Sequence, residues 1–269
     1  MSFNPQTGLA YIPVLEKGWV HSPDNFYLFD QAPHIDELRQ GQPQVDEGGY
    51  LRAWDPVRQA LIWQVENSTL INGGTLTTAG NLVFQGTQDG YLNAYNARTG
   101  ERLLHLFLGP GILAPPETYA VKGEPYIVVL AGFGGATLFM IEETAAANKY
   151  SNAGRLLAFR LNGGPVPLPE EKARFAAESM AETQVASEQL ERGRNLYTRY
   201  CGFCHGMFGS KSILPDLMEM RPEVNAIFRQ IVLDGVFAGK GMAGFADVLS
   251  AEEVEQIRCF LVSRNNSRQ

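Results

Sequence analysis

The chain has 269 residues, 45% hydrophobic and 19% charged, with a net charge of −7, the balance of an ordinary globular protein long enough for one large domain or two smaller ones. Residues 165–269 carry 12 basic and 14 acidic side chains and residues 1–164 carry 10 and 15, so no basic stripe offers itself to nucleic acid. No apolar run approaches the ~18 residues a membrane-spanning helix needs.

The chain opens on Met1-Ser2-Phe3-Asn4-Pro5-Gln6-Thr7-Gly8, which has no basic n-region and no apolar h-region and does not read as a signal peptide. Residues 1–164 then show strand and turn punctuation. Short β-branched or aromatic runs, such as Leu82-Val83-Phe84-Gln85 and Tyr126-Ile127-Val128-Val129-Leu130, are bounded by Gly, Asn and Asp. Three segments repeat the order glycine, any residue, leucine, any residue, alanine, aromatic: Gly49 to Trp54, Gly90 to Tyr95 and Gly154 to Phe159. Their starts stand 41 and 64 residues apart, and a period near 40 with several strands per unit suggests propeller blades, against the alternative of coincidence among hairpins. The first two copies continue in parallel, Ala53-Trp54-Asp55 leading to Trp63 and Ala94-Tyr95-Asn96 leading through Thr99-Gly100 to Leu104. The Asx and Thr-Gly residues make a tight turn, and the residue at the end can dock against a neighbouring blade. His21, His34 and His105 have no partner cluster in the sequence and read as ordinary surface or loop histidines.

These two continuations resemble the tryptophan-docking repeat of quinoprotein dehydrogenases, although Arg58-Gln59 replaces its Thr-Gly and Leu104 its Trp. The run Gly73 to Thr87, the segment Ala114-Pro115-Pro116-Glu117-Thr118-Tyr119 and the loop Gly132-Phe133-Gly134-Gly135 resemble the quinohaemoprotein alcohol dehydrogenases. That family joins an eight-bladed propeller, holding pyrroloquinoline quinone (PQQ) and calcium, to a C-terminal cytochrome c. The resemblance implies all-β propeller blades, about three of the eight, followed by an all-α cytochrome c domain. It sets Asn72, Gly132, Phe133 and Gly134 in loops on the quinone side, with Ile71 and Phe133 standing where the family usually has Trp. In the family the catalytic aspartate, the calcium carboxylate and a ring of adjacent cysteines all precede the part this chain resembles. The only cysteines here are Cys201, Cys204 and Cys259. PQQ and calcium are therefore expected in the complete enzyme and not in this chain alone, which should not oxidise an alcohol by itself. The missing blades would come from the same or a separate chain.

Gly163-Gly164-Pro165-Val166-Pro167-Leu168-Pro169 reads as a linker, and polar, Ala/Glu-rich 170–186 as a connector with some helix. This divides the chain into blades over 1–164, a Pro-rich linker and connector over 165–186 and a haem domain over 187–269. From Ser187 the period becomes helical, with Leu190, Gly193 and Tyr197 on one stripe. Gly193 costs about 1 kcal/mol of helix propensity relative to Ala, which makes sense if another helix crosses closely there. The partner expected is Ala251 to Ser263, with a Ser250/Glu253 capping box and a Val254, Ile257, Leu261 stripe.

Cys201-Gly202-Phe203-Cys204-His205 is the C-x-x-C-H haem-attachment pattern. The two thiols add across the vinyl groups of one porphyrin, and the following histidine lies under the iron as an axial ligand. A redox C-x-x-C wants a thioredoxin-like setting, and a zinc site wants a second Cys/His pair; neither is present. Met207, Met218, Met220 and Met242 are the candidate sixth ligands. Met207 is too close to His205, and Met218 and Met220 read as packing at a helix start. Met242, in the glycine-flanked loop Gly239-Lys240-Gly241-Met242-Ala243-Gly244-Phe245, can approach iron without a helix colliding with the ring, and it falls where the family has its ligand. The resemblance also puts the carbonyl of Pro215 on the far nitrogen of His205. Cys259 reads as buried filler rather than a redox thiol.

The resulting expectation is an electron-transfer section: haem c accepts electrons from reduced quinone and passes them to a soluble acceptor such as a copper protein or a cytochrome. A stand-alone cytochrome carrier with a β docking module, or one chain of a split enzyme, is the alternative. Because haem c is attached after export, the expected location is the periplasm, and a chain with this motif and no export signal is expected to lack its beginning.

Overall fold

The computed structural model describes residues 1–17, 47–133, 144–150, 154–172, 186–206 and 214–266. His21, His34, Gly134, Met207 and most of the connector lie outside these residues. The chain divides into two units, Met1–Lys172 and Ala173–Gln269.

The first unit is built from three antiparallel sheets. The first contains β1 (Ser2–Asn4), β2 (Leu9–Glu16), β3 (Gly48–Asp55) and β4 (Ala60–Asn67) in sequential order. The second contains β5 (Asn72–Thr77), β6 (Leu82–Thr87), β7 (Tyr91–Asn96) and β8 (Arg102–Phe107), again in order. The third has three strands, β9 (Glu117–Val121), β10 (Glu124–Ala131) and β11 (Arg155–Phe159), with β10 in the middle. The three sequence repeats fall on β3, β7 and β11, the third strand of each sheet, which makes them blades of one design. The 64-residue interval between the last two repeats arises because β10 and β11 are joined by a long connection containing the 3₁₀ turn Ala146–Asn148.

Alternation explains which sheets meet. Leu9, Tyr11, Leu51 and Ala53 of the first sheet close on Val83, Tyr95 and Ala97 of the second. Phe84, Leu92 and Ala94, with Leu108 and Ile112, then close on Val129 and Ala131 of the third. Trp63 docks as its place in the repeat predicts: its indole N–H donates to the Ala97 carbonyl across the sheet interface at 3.0 Å. Tyr11 donates to the same carbonyl at 2.9 Å, and the Tyr11 and Trp63 rings lie 5.6 Å apart. The Thr-Gly position of the turn needs a left-handed backbone. Gly100 supplies it at φ +75°, whereas in the first sheet Gln59 must adopt φ 54°. Leu104, in the docking position of the second sheet, is left 37% exposed.

The linker is not free of the β unit throughout. Arg155 donates to the carbonyls of Leu108, at 3.1 Å, and Pro167. The Lys172 amide donates to the Lys149 carbonyl at 2.8 Å and its ammonium to that of Ala147 at 2.6 Å. Residues 165–172 therefore belong with the sheets: Pro167, which has no N–H, still offers its carbonyl to Arg155, and Lys172 reaches the carbonyls of Lys149 and Ala147.

The second unit is helical: α1 (Ser187–Tyr200), α2 (Gly202–His205), α3 (Pro222–Ala226), α4 (Phe228–Val232) and α5 (Ala251–Asn266). α1 packs on α5, as the stripes predict. A Cβ on Gly193 would lie 2.1 Å from the Gln256 carbonyl oxygen, so only glycine permits this crossing. Ser250 and Glu253 form the reciprocal capping box, with the Ser250 amide on the Glu253 carboxylate at 2.8 Å and the Glu253 amide on Ser250 Oγ at 3.3 Å. Tyr197, Val254, Ile257, Phe260 and Leu261 are all buried between the two helices and their neighbours.

Candidate functional site

The site lies where α1 runs into α2. The Cys201 amide bonds back to the Tyr197 carbonyl at 2.8 Å, and the His205 amide bonds to the Cys201 carbonyl at 2.9 Å. Cys201 and His205 are thus one helical turn apart and share a face. Gly206 follows at φ 90°, a backbone that L-side chains avoid, and turns the chain out of the helix. His205 Nδ1 sits 2.8 Å from the Pro215 carbonyl. A carbonyl only accepts, so Nδ1 carries the proton and Nε2 presents its lone pair.

The surroundings are apolar. Cys201 is buried in a cluster with Met218, Met220, Phe228, Val232 and Leu249, and Phe245 packs against it. Burial, reinforced by the nearby Cys204, pushes the Cys201 thiol up to about 12. Among the described residues no three His, Cys, Asp or Glu side chains gather as a metal-ion site. Met218 lies within the 3₁₀ turn Leu217–Glu219 and Met220 directly after it, the turn being capped by Asp216 through the Met218 amide at 2.8 Å. They serve as packing, while Met242 is half-buried in a loop of its own. That loop is anchored at both ends: the Met242 amide bonds the Phe237 carbonyl at 3.1 Å and the Phe245 amide bonds the Val232 carbonyl at 2.7 Å. Two thiols, one histidine with Nε2 free of its carbonyl partner, and an apolar wall make a donor set that fits a covalently held haem.

The quinone-side positions are a different case. Asn72 accepts from Thr69 Oγ1 at 2.9 Å and donates to the Thr69 carbonyl at 2.6 Å. The Gly132 amide donates to the Gly111 carbonyl at 2.7 Å, and the Phe133 ring is 98% buried (2% exposed) where a Cβ on Gly111 would meet it. The segment 111–113 joins the beginning of β5 to the end of β10, since the Gly74 amide also bonds the Leu113 carbonyl. Asn72, Gly132 and Phe133 thus lie at one end of adjacent sheets.

Two family models match the chain: the β-propeller domain of glucose/ethanol/alcohol dehydrogenases over residues 42–127 and the cytochrome c oxidase cbb3-type subunit III over residues 188–261. Quinohemoprotein alcohol dehydrogenase ADH IIB of Pseudomonas putida is 39% identical over 98% of the chain and 39% of its own length. The chain is homologous to the quinohaemoprotein alcohol dehydrogenases. The solved structure of the ADHIIG quinohemoprotein alcohol dehydrogenase from the same species superposes with a TM-score of 0.80 at 34% identity, covering 98% of this chain and 40% of that one. The quinohemoprotein alcohol dehydrogenase of Comamonas testosteroni gives a TM-score of 0.75 at 33% identity, covering 100% and 41%. The chain thus spans about two-fifths of the length of the quinohaemoprotein alcohol dehydrogenases it matches.

One element of the site escaped sequence reasoning, and one residue outside it departs from expectation. Tyr197 was legible as part of the α1 stripe, but its hydroxyl donates to the Gly206 carbonyl at 2.6 Å, a contact no spacing announces. Cys259, expected as buried filler, is instead half-buried on α5 with its Sγ donating to Glu255 at 3.5 Å; burial, then the Glu255 charge, raises its pKa.

Proposed function

We propose that this chain is the electron-transfer section of a PQQ-dependent alcohol dehydrogenase, carrying electrons from a quinone held by blades outside it to an external acceptor in the periplasm. The observation that carries this reading is the Cys201–His205 turn with His205 Nδ1 on the Pro215 carbonyl, set in a chain homologous to these enzymes over 98% of its length. Cys201 and Cys204 would hold haem c through thioether bonds, and His205 Nε2 and Met242 Sδ would be the side-chain atoms offered to its iron. Bound in this way, haem c supplies one-electron exchange between ferric and ferrous iron. Pro215 fixes the His205 ring, and the apolar cluster around Cys201 excludes water. The anchored 237–245 loop limits how far Met242 can withdraw.

The β unit supports a continuing ring of blades. Cross-strand partners share a face, and Leu130 pairs with Leu156 on the side of the third sheet turned away from its core. Leu130 is 56% and Leu156 70% exposed, and Tyr119 stacks on Tyr126 on the same side. On the first sheet Phe3 is 54% exposed. Further blades of a propeller would cover these exposed apolar faces.

The test is maturation of the chain in a host that exports it and attaches haem c. Covalent haem should survive denaturing electrophoresis in the natural sequence and be lost from C201A/C204A. M242A should keep the haem but lose the weak methionine–iron charge-transfer absorption. Absence of covalent haem in the matured chain would sink the reading; persistence of the charge-transfer band in M242A would remove Met242 alone.

A further inference from the structure

Tyr197 holds both ends of the Cys201–His205 turn. Its carbonyl accepts the Cys201 amide at 2.8 Å, and its hydroxyl donates to the carbonyl of Gly206, immediately after His205, at 2.6 Å. Tyr197 is fully buried, at 0% exposure, and Gly206 is buried too. At φ 90° Gly206 has left the helix, so its carbonyl points away from the helical ladder and takes the tyrosine hydroxyl. Nothing about helix packing requires that hydroxyl. The ring already packs on Phe260 with centroids 5.9 Å apart, and a phenylalanine would fill the same volume.

We infer that the Tyr197 hydroxyl is a positioning group for His205: by tethering the Gly206 carbonyl it fixes the backbone on which His205 stands, while Pro215 fixes the ring. The two restraints are complementary. The Pro215 carbonyl acts on Nδ1 at 2.8 Å and sets rotation about the side-chain bonds. The tyrosine acts on the next peptide unit and sets how far the imidazole projects from α2. Without the hydroxyl the buried Gly206 carbonyl would lose the donor it has among the described residues, a loss folded proteins relieve by shifting the backbone or admitting water. Either adjustment would move His205 relative to Cys201 and Cys204.

The inference rests on the haem c reading, and the test separates the two. The matured full chain is compared with Y197F, which keeps the ring and removes only the hydroxyl, and with F260L, which disturbs the same packing without touching Gly206. The readouts are covalent haem content, thermal midpoint, reduction potential and the proton spectrum of the ferric haem methyls, which reports the orientation of the axial histidine. The expected result is unchanged haem content in all three. Y197F should shift the haem-methyl pattern and the potential, while F260L lowers the midpoint and leaves both at the values of the natural sequence. A Y197F protein with the natural haem-methyl pattern and potential, whatever its midpoint, overturns the positioning role. So does an F260L protein that shifts them as far as Y197F. Failure of the natural chain to take up haem overturns the haem reading itself.

Discussion

Gly193→Ala sets two physical effects of opposite sign against each other. By intrinsic propensity the substitution should stabilise α1 by about 1 kcal/mol. In the structure the added methyl would lie 2.1 Å from the Gln256 carbonyl oxygen, 2.7 Å from the carbonyl carbon and 3.0 Å from Phe260 Cβ. Two of these atoms belong to the backbone of α5 and cannot rotate aside, so α1 and α5 must separate by roughly an ångström to restore ordinary contact distances. That separation loosens Tyr197, Ile257 and Leu261, each at 0% exposure. Overpacking of this kind costs about 1–3 kcal/mol, and a clash with fixed backbone belongs at the upper end. Subtracting the propensity gain leaves a net loss of about 2 kcal/mol, or a fall of about 8–16 °C in the midpoint of a domain this size. The assay is thermal and urea unfolding of the full chain followed by the helical far-ultraviolet CD band, because the α-helices of the described residues all lie in the second unit. An unchanged or higher midpoint in Gly193→Ala would show that the helices do not cross at Gly193.

The β unit and α5 give four further expectations. Replacing Trp63 or Tyr11 by Phe removes one of two donors to the Ala97 carbonyl, so each should cost about 1 kcal/mol; the double variant, leaving Ala97 buried and unpaired, should exceed the sum by about 1 kcal/mol in a urea-unfolding cycle. Gln59→Gly relieves a left-handed backbone at φ 54° and should stabilise the unit by about 0.5–1 kcal/mol in the same assay, whereas Gly100→Ala, with the Trp63 ring 2.8 Å from the new methyl, should destabilise it. His105 stacks on Tyr91 and bonds Asn93 at 2.7 Å; burial first, then Arg102, lowers its pKa below 6.5. The unfolded chain therefore takes up the proton first, and this contribution is complete above about pH 6.5 and lost as pH falls through the lower folded value; His105→Gln should flatten the pH dependence of stability in that window. The raised pKa of Cys259 should make its alkylation at mildly alkaline pH slower in the folded than in the unfolded chain, as read by mass spectrometry.

Local chemistry was enough to read the helical turn at Cys201–His205, the α5 capping box, the repeat on β3, β7 and β11 and the close approach at Gly193, because each depends on spacing within a few residues or on a conformation one residue type favours. The homology and superposition agree with the order of propeller-type sheets before a cytochrome-type helical unit. Other features depended on groups distant in sequence meeting. The Ala97 carbonyl collects donors from residues 34 and 86 positions away. Arg155 and Lys172 draw the start of the proline-rich linker onto the sheets, although its composition alone reads as a free connector. The conformation at Gly206 turns its carbonyl toward the hydroxyl of Tyr197, a residue that periodicity assigns only to the core. Spacing identifies residue types and local periods; which buried carbonyl a distant hydroxyl, indole or cation will satisfy is decided only when the packed chain leaves that carbonyl without a nearer donor.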